Sequence, residues 1–158
     1  MTNPTPPPTP RVRVAIPDDV PRWPDVEKAM VTVLDDFLGR LMPAGYACVV
    51  PPADWEERLL DGVAIVTVQR AGGNAERALD SANLYVTVTA GTRSDAWDVM
   101  GWLRPQLHSF NGTVTNPDGT VALITAVDDM RGPQRQPALS PDMRSVTAGF
   151  TVITRLDR

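Results

Sequence analysis

The sequence predicts an α+β domain: a mostly antiparallel, twisted β-sheet with two main helices packed on one face, plus long loops. Two observations favour this class. The segment NLYVTVTA (83–90) alternates apolar and polar side chains with the period of a half-buried strand. Segments 24–41 and 93–110 instead repeat apolar residues every three or four positions, as amphipathic helices do. One face of such a helix can lie on the apolar face of such a sheet.

Length and composition indicate one ordinary globular domain. The chain has 158 residues, of which 42% are hydrophobic and 22% charged, and a chain of this size buries roughly two-thirds of its unfolded surface. The net charge of −4 argues against a nucleic-acid module that relies on a basic face. No apolar run approaches the ~20 residues of a membrane span. The N-terminus carries no secretion signal, so we expect a protein of cytoplasmic origin.

The first ten residues, MTNPTPPPTP, are rich in proline. Because proline fixes φ and removes a backbone donor, we expect a flexible arm over residues 1–10, followed by a single domain over residues 11–158. Two interpretations of the arm stay open: it is a free terminus, or it lies on a neighbouring subunit or partner. The segment RVRVAIP (11–17) alternates and predicts a short edge strand, or an arm that docks elsewhere, rather than a central strand.

The first helix has the clearest signals in the chain. Pro24 suits the first helical position, and Asp25 and Glu27 lie near the positive end of the helix dipole. An apolar stripe follows and predicts packing on the sheet, with Leu34 and Phe37 in the core. After this helix, YACVVP predicts a short buried strand, and a helix of one or two turns begins near Asp54.

The centre of the chain predicts strand, loop, strand and helix in succession. GVAIVTVQR (62–70) reads as an apolar strand, and AGGNAER (71–77) as the loop that leads into the strand 83–90. In the helix that follows, Val99 and Leu103 belong to the apolar stripe. A proline at position 105 predicts a kink or a short final turn.

The last third of the chain predicts a long antiparallel hairpin. NGTVTNPDGT (111–120) contains three turn-forming dipeptides. VALITAVDDM (121–130) and SVTAGFTVITRLDR (145–158) then predict two strands that pair with each other. RGPQRQPALSPD (131–142) is a long loop between them, and a loop of this length in a small domain is a candidate contact element.

The sequence lacks the residue patterns of an enzyme or a metal site. His108 is the only histidine, and the acidic pairs are adjacent in sequence, so their side chains diverge. Cys48, the only cysteine, lies in an apolar run that is typical of a small buried hydrophobe rather than a nucleophile. AGGNAER lacks both GxGxxG and the Walker lysine. We therefore predict no catalytic residue, no cofactor and no metal.

A family resemblance rests on the central segment. VTVQRAGG (66–73), then Asp80, an alternating strand and a helix that begins TRSDAW (92–97), resemble the tail terminator proteins of long-tailed bacteriophages, particularly those of actinobacterial hosts. These are also called tail completion or tail-to-head joining proteins. WPDVE (23–27) and its leucine-rich helix are similar to the family's opening. The resemblance runs from about residue 23 to the C-terminus, and the proline-rich start and the 131–142 loop depart from the pattern.

The resemblance implies a structural virion protein of the tail or neck, assembled in the host cytoplasm. Tail terminators are small α+β subunits that form a hexameric ring on the head-proximal end of the tail tube. The ring stops tube polymerisation and presents a surface to the head-completion, or stopper, protein. The implied partners are therefore other copies of the chain, the major tail tube protein and the stopper protein. DNA passes through the lumen without specific binding, and no membrane is involved.

Two segments are candidates for the contacts of such a ring. A ring repeats one heterologous contact until it closes, so each subunit needs two different complementary patches. We expect the Arg70–Arg77 loop and the Arg131–Asp142 loop to reach the tube or a neighbouring subunit, with the helices outside. The alternative for the double glycine is that it only closes a hairpin. The candidate interface residues are Arg70, Gly72, Gly73, Asn74, Arg77, Arg131, Gln134 and Arg135.

Two other functions stay open at this point. One is a different phage structural protein, either a head-closure or adaptor subunit of the neck or the tube protein itself. The other is a small-molecule-binding or enzymatic α+β domain, which would need a closed pocket with convergent polar groups.

Overall fold

A computed structural model describes residues 22–135 and 144–156, with residues 14, 15, 17 and 19 ahead of them. Six strands form one mixed sheet in the order β1-β2-β3-β6-β5-β4, in which only β1 and β2 run parallel. The predicted α+β class is confirmed. The helices are α1 (Val26–Leu38), α2 (Trp55–Leu60) and α3 (Arg93–His108). The strands are β1 (Tyr46–Cys48), β2 (Ile65–Glu76), β3 (Leu79–Thr89), β4 (Gly112–Thr115), β5 (Val121–Arg135) and β6 (Ser145–Arg155).

The two long helices begin at side-chain caps. Asp25 accepts a hydrogen bond from the Lys28 backbone N–H at 3.1 Å, and Thr92 accepts one from the Asp95 backbone N–H at 3.1 Å. Such caps satisfy backbone donors that have no partner inside the helix. Helix α3 continues through Pro105 to His108, so the proline does not end it.

One core joins α1 and α3 to the sheet. Leu34 and Leu103 are fully buried and Phe37 is 8% exposed, so these predicted core residues are confirmed. Val99 is half-buried and packs against the same core. The sheet contributes its alternate residues, among them Leu84, Val86 and Val88 of β3, as the alternation predicts.

Helix α2 lies on the opposite face of the sheet. Leu59 packs there with Cys48 and Ile65 in a small second cluster. Ile65 precedes Val66 of the main core, and successive residues of a strand point to opposite faces. The interpretation of Cys48 as a buried hydrophobe is confirmed, and burial raises the pKa of its thiol.

Several predicted loops are strands in the structure. Residues 71–76 belong to β2 and residues 131–135 to β5, so AGGNAER and the start of the 131–142 segment are not loops. Residues 136–143 lie outside the described part. Residues 112–115, predicted only as turns, form β4 against β5. In each case a neighbouring strand supplies pairing that local sequence does not reveal.

Two further expectations need correction. Strand β1 ends at Cys48, and Val49 and Val50 are 38% and 76% exposed, so YACVVP is not a buried strand throughout. In the predicted strand 11–17, the described residues 14, 15 and 17 are exposed and belong to no strand. The predicted arm over residues 1–10 lies outside the described residues. The described helices include none long and apolar enough to cross a membrane.

Candidate assembly surfaces at the two sheet edges

The β2–β3 hairpin carries five of the eight predicted interface residues. Its strands pair from Ile65 opposite Thr89 to Glu76 opposite Leu79, and the two residues Arg77 and Ala78 close the turn. Arg77 has a φ of +53°, in the left-handed region that tight hairpin turns require. Its side chain is exposed. The hairpin tip thus presents a charged side chain on a tightly constrained backbone.

A β-bulge at Ala71 changes which side chains face each side of the hairpin. Before the bulge Arg70 lies opposite Leu84, and after it Gly72 lies opposite Asn83. The extra residue in β2 interrupts the alternation of side chains along the strand. As a result, Arg70 shares a face with the main core, while Gly72 lies on the opposite, polar face.

Glycine is required at positions 72 and 73, next to the bulge, for different structural reasons. A Cβ at Gly73 would lie 2.0 Å from the Ser81 carbonyl oxygen and 2.8 Å from the Ala82 Cα, so β3 approaches too closely for any side chain. Gly72 has a φ of +144° but nothing within 4 Å of the same test position. Glycine is required at position 73 by the close approach of β3 together with a φ of +124°, and at position 72 by backbone conformation alone.

Arg70 and Asp80 form a clamp across the base of the bulge. The guanidinium donates to both carboxylate oxygens, at 2.9 and 2.8 Å, and its Nε donates to the Gly72 carbonyl at 3.2 Å. The Asp80 side chain is 3% exposed, while that of Arg70 is 36% exposed. A planar guanidinium matches a carboxylate in this bidentate geometry. Sequence reasoning placed Arg70 at an interface, and the structure also gives it this partner inside the subunit.

Helix α1 is tied to the same sheet edge. The Glu27 carboxylate accepts the Arg70 backbone N–H, which points away from β3. The Lys28 ammonium group pairs with Asp118 in the turn between β4 and β5, and this contact lowers the pKa of the Asp118 carboxyl. The first turn of α1 thus contacts β2 on one side of the sheet and the β4–β5 turn on the other.

The three remaining candidate interface residues lie in β5, toward the other end of the strand order. Arg131 is exposed in β5 opposite Gly149, Gln134 is half-buried opposite Thr147, and Arg135 ends β5 opposite Val146. Strands β3 and β6 separate β2 from β5, a distance of about 14 Å at the usual strand spacing. The structure therefore does not bring the two predicted groups into one patch.

Both groups occupy partly uncovered edges. Strand β1 pairs with β2 only at residues 65–67, and β4 pairs with β5 only at residues 121–124. Within the described ranges, no other strand pairs with the outer side of β2 over 68–76 or of β5 over 125–135. We call these stretches the β2 edge and the β5 edge. Unpaired strand edges are ready sites for contacts with another chain.

The β5 edge is irregular. Its pairing with β6 shifts register between Ile124 and Ala126, between Asp129 and Arg131, and between Arg131 and Gln134. A proline at position 133 removes a backbone donor. Such features disfavour the addition of a long, regular strand. Contacts at this edge therefore depend mainly on side chains.

Between the two edges, the sheet face that carries α2 is rich in hydroxyl groups, a feature that sequence reasoning did not identify, and we call it the hydroxyl-rich face. Thr147, one of its residues, is buried at 3% exposed. Thr87 and Thr147 share a hydrogen bond of 2.7 Å, and Thr89 and Ser145 one of 2.8 Å. The alternation of β3 and β6 indicated that polar residues share this face. Their pairing across strands depends on register, which the sequence of either strand alone does not reveal.

Another ion cluster fastens the end of α3 to β5. Asp129 accepts hydrogen bonds from Arg104 and, at 2.9 Å, from His108. The Arg104 hydrogen bond is the largest cause that lowers the pKa of Asp129, and the hydrogen bond from His108 adds to it. The only histidine is therefore part of a structural contact. Among the described residues, no group of three or more His, Cys, Asp or Glu side chains is placed to hold a metal ion.

Comparison with known proteins assigns the family. A model of the phage tail termination protein family matches residues 22–158, which include every helix and strand from α1 to β6. A comparison with curated proteins finds no significant match. The matched range includes the bulged hairpin, the Arg70–Asp80 clamp and both sheet edges. The chain therefore belongs to the phage tail termination protein family.

Proposed function

We propose that copies of this chain close into a ring, with six the expected number, on the head-proximal end of the tail tube. The ring ends tube polymerisation and joins the tail to the head-completion protein. Family membership supports a structural role in the phage tail. The observation that carries the ring is the presence of two dissimilar open edges on opposite sides of one sheet.

The two edges suit a heterologous contact. Asn74, Glu76 and Arg77 are exposed on the β2 edge or its turn, and Asp128 and Arg131 are exposed on the β5 edge. Each edge thus carries both charge signs, and an acidic residue of one can meet an arginine of the other. Charge complementarity of this kind fixes register and suppresses wrong partners. When the β2 edge of one copy meets the β5 edge of the next, the contact repeats until the ring closes.

In this arrangement the long helices α1 and α3 lie outside, and the hydroxyl-rich face, which also carries α2, is turned toward the lumen. Its hydroxyl groups pair with each other across β3 and β6. The only lysine, Lys28, belongs to α1 on the other face. A chain with a net charge of −4 neutralises few phosphates, so DNA passes without being held.

Electron microscopy tests this function. Purified protein is imaged alone and after mixing with tail tubes, and native mass spectrometry counts the copies in each ring. We expect rings of six and caps at one end of each tube. Long polymers formed by the protein alone would instead identify a tube subunit. Tubes that stay uncapped at saturating protein would refute the proposal.

Charge reversals locate the contact. Arg77→Glu, in the turn directly after the β2 edge, tests that side of the sheet, and Arg131→Glu tests the β5 edge. Arg93→Glu is the matched control, because it makes the same charge change at the exposed start of α3. We expect either edge variant to reduce ring formation while the control leaves it unchanged. An equal effect of all three would show that net charge, rather than edge contact, controls assembly.

A further inference from the structure

Exposed apolar side chains concentrate beside α2. Among the described residues, eleven large apolar side chains are exposed, and six of them lie between positions 42 and 60. We define the α2 patch as Tyr46, Val49, Val50, Trp55 and Leu60, the members of this group that lie on or next to β1 and α2. Clusters of exposed apolar side chains on a small protein mark contact sites.

The α2 patch contains two aromatic rings and a shallow depression. Trp55, Leu59 and Leu60 line a hollow of about 250 Å³ together with Glu56 and Arg144. The Tyr46 ring lies 4.8 Å from the Arg58 guanidinium, which places it against α2. Trp55 is 39% exposed and Tyr46 is 36% exposed, so both offer ring surface to another molecule.

The same region is strongly acidic. Asp54, Glu56, Glu57 and Asp61 are all exposed on or next to α2. Arg58 is the only basic residue from position 54 to 61, so four acidic residues and one basic residue give this segment a charge of −3. Arg58 is also paired with Asp54 at 3.0 Å. The surface therefore suits a partner that is both apolar and basic.

The N-terminal segment of this protein has that chemistry. Residues 4–13 contain five prolines and two arginines, and no acidic residue. Proline-rich segments favour the polyproline II conformation, which binds aromatic grooves at little cost in chain entropy. Arginine guanidinium groups stack on aromatic rings and pair with carboxylates. We propose that residues 4–13 of one copy dock on the α2 patch of a neighbouring copy.

The described residues that follow this segment are exposed rather than packed in the core. Val14 is 86% exposed, and residues 15, 17 and 19 are exposed as well. Ten extended residues at ~3.1 Å each cover roughly 31 Å, more than the ~20 Å length of the 13-residue helix α1. When extended, the segment can therefore reach surfaces up to roughly 30 Å from residue 14. The inference rests on the proposed ring only for the presence of that neighbour.

Photo-crosslinking in the full chain tests the inference. Trp55 is replaced by p-benzoylphenylalanine, isotopically heavy and light copies are mixed, assembled on tail tubes and irradiated, and mass spectrometry identifies the joined peptides. We expect the residue-55 crosslinker to capture residues 4–13, with heavy–light pairs present. The matched control places the crosslinker at Val121, which is 50% exposed at the start of β5, where the arm is not expected.

Charge reversal provides a second arm of the test. Arg11→Glu with Arg13→Glu is expected to lower the yield of the residue-55 crosslink by on the order of tenfold, because two surface ion pairs are lost. Adding Glu56→Lys and Glu57→Lys is expected to restore it. The inference would be overturned if the crosslinker captured only other segments, or only residues of its own copy, or if the charge reversal left the crosslink yield unchanged.

The two proposals fail separately. If tubes are capped but the residue-55 crosslink does not form, the docked arm is refuted and the proposed ring is not. Heavy–light crosslinks between copies in concentrated protein that does not cap tubes would support the docked arm and refute the tail-capping function.

Discussion

The double glycine in β2 allows a stability prediction with its own controls. Replacing Gly73 with alanine places a Cβ 2.0 Å from the Ser81 carbonyl oxygen. Both the obstructing oxygen and the nearby Ala82 Cα belong to the backbone of β3. Relief therefore requires the two strands to separate at this point. Overpacking of this kind costs about 1–3 kcal/mol.

Backbone strain adds to the contact at Gly73 and acts alone at Gly72. The φ angles are +124° and +144°, a region that side-chain-bearing residues rarely adopt. A strained φ costs on the order of 1–3 kcal/mol. We expect Gly73→Ala to lower the free energy of unfolding by about 2–6 kcal/mol, the sum of both costs, and Gly72→Ala by about 1–3 kcal/mol.

Urea denaturation followed by circular dichroism measures both changes. Gly101→Ala is the third variant, because Gly101 lies within α3, has no positive φ and has open space around it. Alanine there should raise the free energy of unfolding by about 0.5–1 kcal/mol. Equal losses for the two β2 variants would refute the argument that close approach, and not only backbone conformation, requires Gly73.

Three further predictions concern the core and the ion pairs. Leu34→Ala should lower the free energy of unfolding by about 2–5 kcal/mol in a urea titration, since its side chain is fully buried. Asp80→Ala should lower the free energy of unfolding by about 1–3 kcal/mol, because it leaves Arg70 without its bidentate partner. If the two residues are coupled, the double variant Arg70→Leu, Asp80→Ala should lose less stability than the sum of the two single changes. The lowered pKa of Asp129 stabilises the fold above the unfolded pKa of about 4, and this stability is lost as pH falls through the lower folded pKa. Asp129→Asn should therefore reduce the loss of melting temperature below about pH 4, and an unchanged acid profile would contradict this.

Sequence periodicity was sufficient to predict the helices and the residues on one face of the sheet. Leu34, Leu103 and the alternating residues of β3 were predicted correctly because their burial follows from local spacing. The extents of β2 and β5 were not predictable in this way. Residues 71–76 are glycine-rich and polar, and they are strand only because β3 pairs with them. Pairing of that kind depends on a partner distant in sequence.

The candidate interface shows the same division between local and distant information. The double glycine stands out in the sequence as a turn signal, but the structure places it in β2 beside the bulge, and Arg77 with Ala78 forms the turn. The Arg70–Asp80 clamp required knowledge of the bulge, which brings two residues ten positions apart into a bidentate contact. The separation of Arg131 from β2 by two strands followed only from the strand order. Register and strand order therefore decide which predicted residues can act together.

The family match covers the residues of the proposed ring contact but not the residues of the proposed arm. The family match begins at residue 22, so the sheet edges lie within the shared part and the proline-rich segment lies outside it. If edge contacts close the ring, residues 22–158 alone should determine the number of copies in it. A docked arm would then add a second connection between the same neighbours, which raises the effective concentration of each contact for the other. Charge reversal at residues 11 and 13 should accordingly make rings dissociate at lower salt or denaturant without changing the number of copies. A changed copy number would show that the arm, and not the edges, sets the geometry.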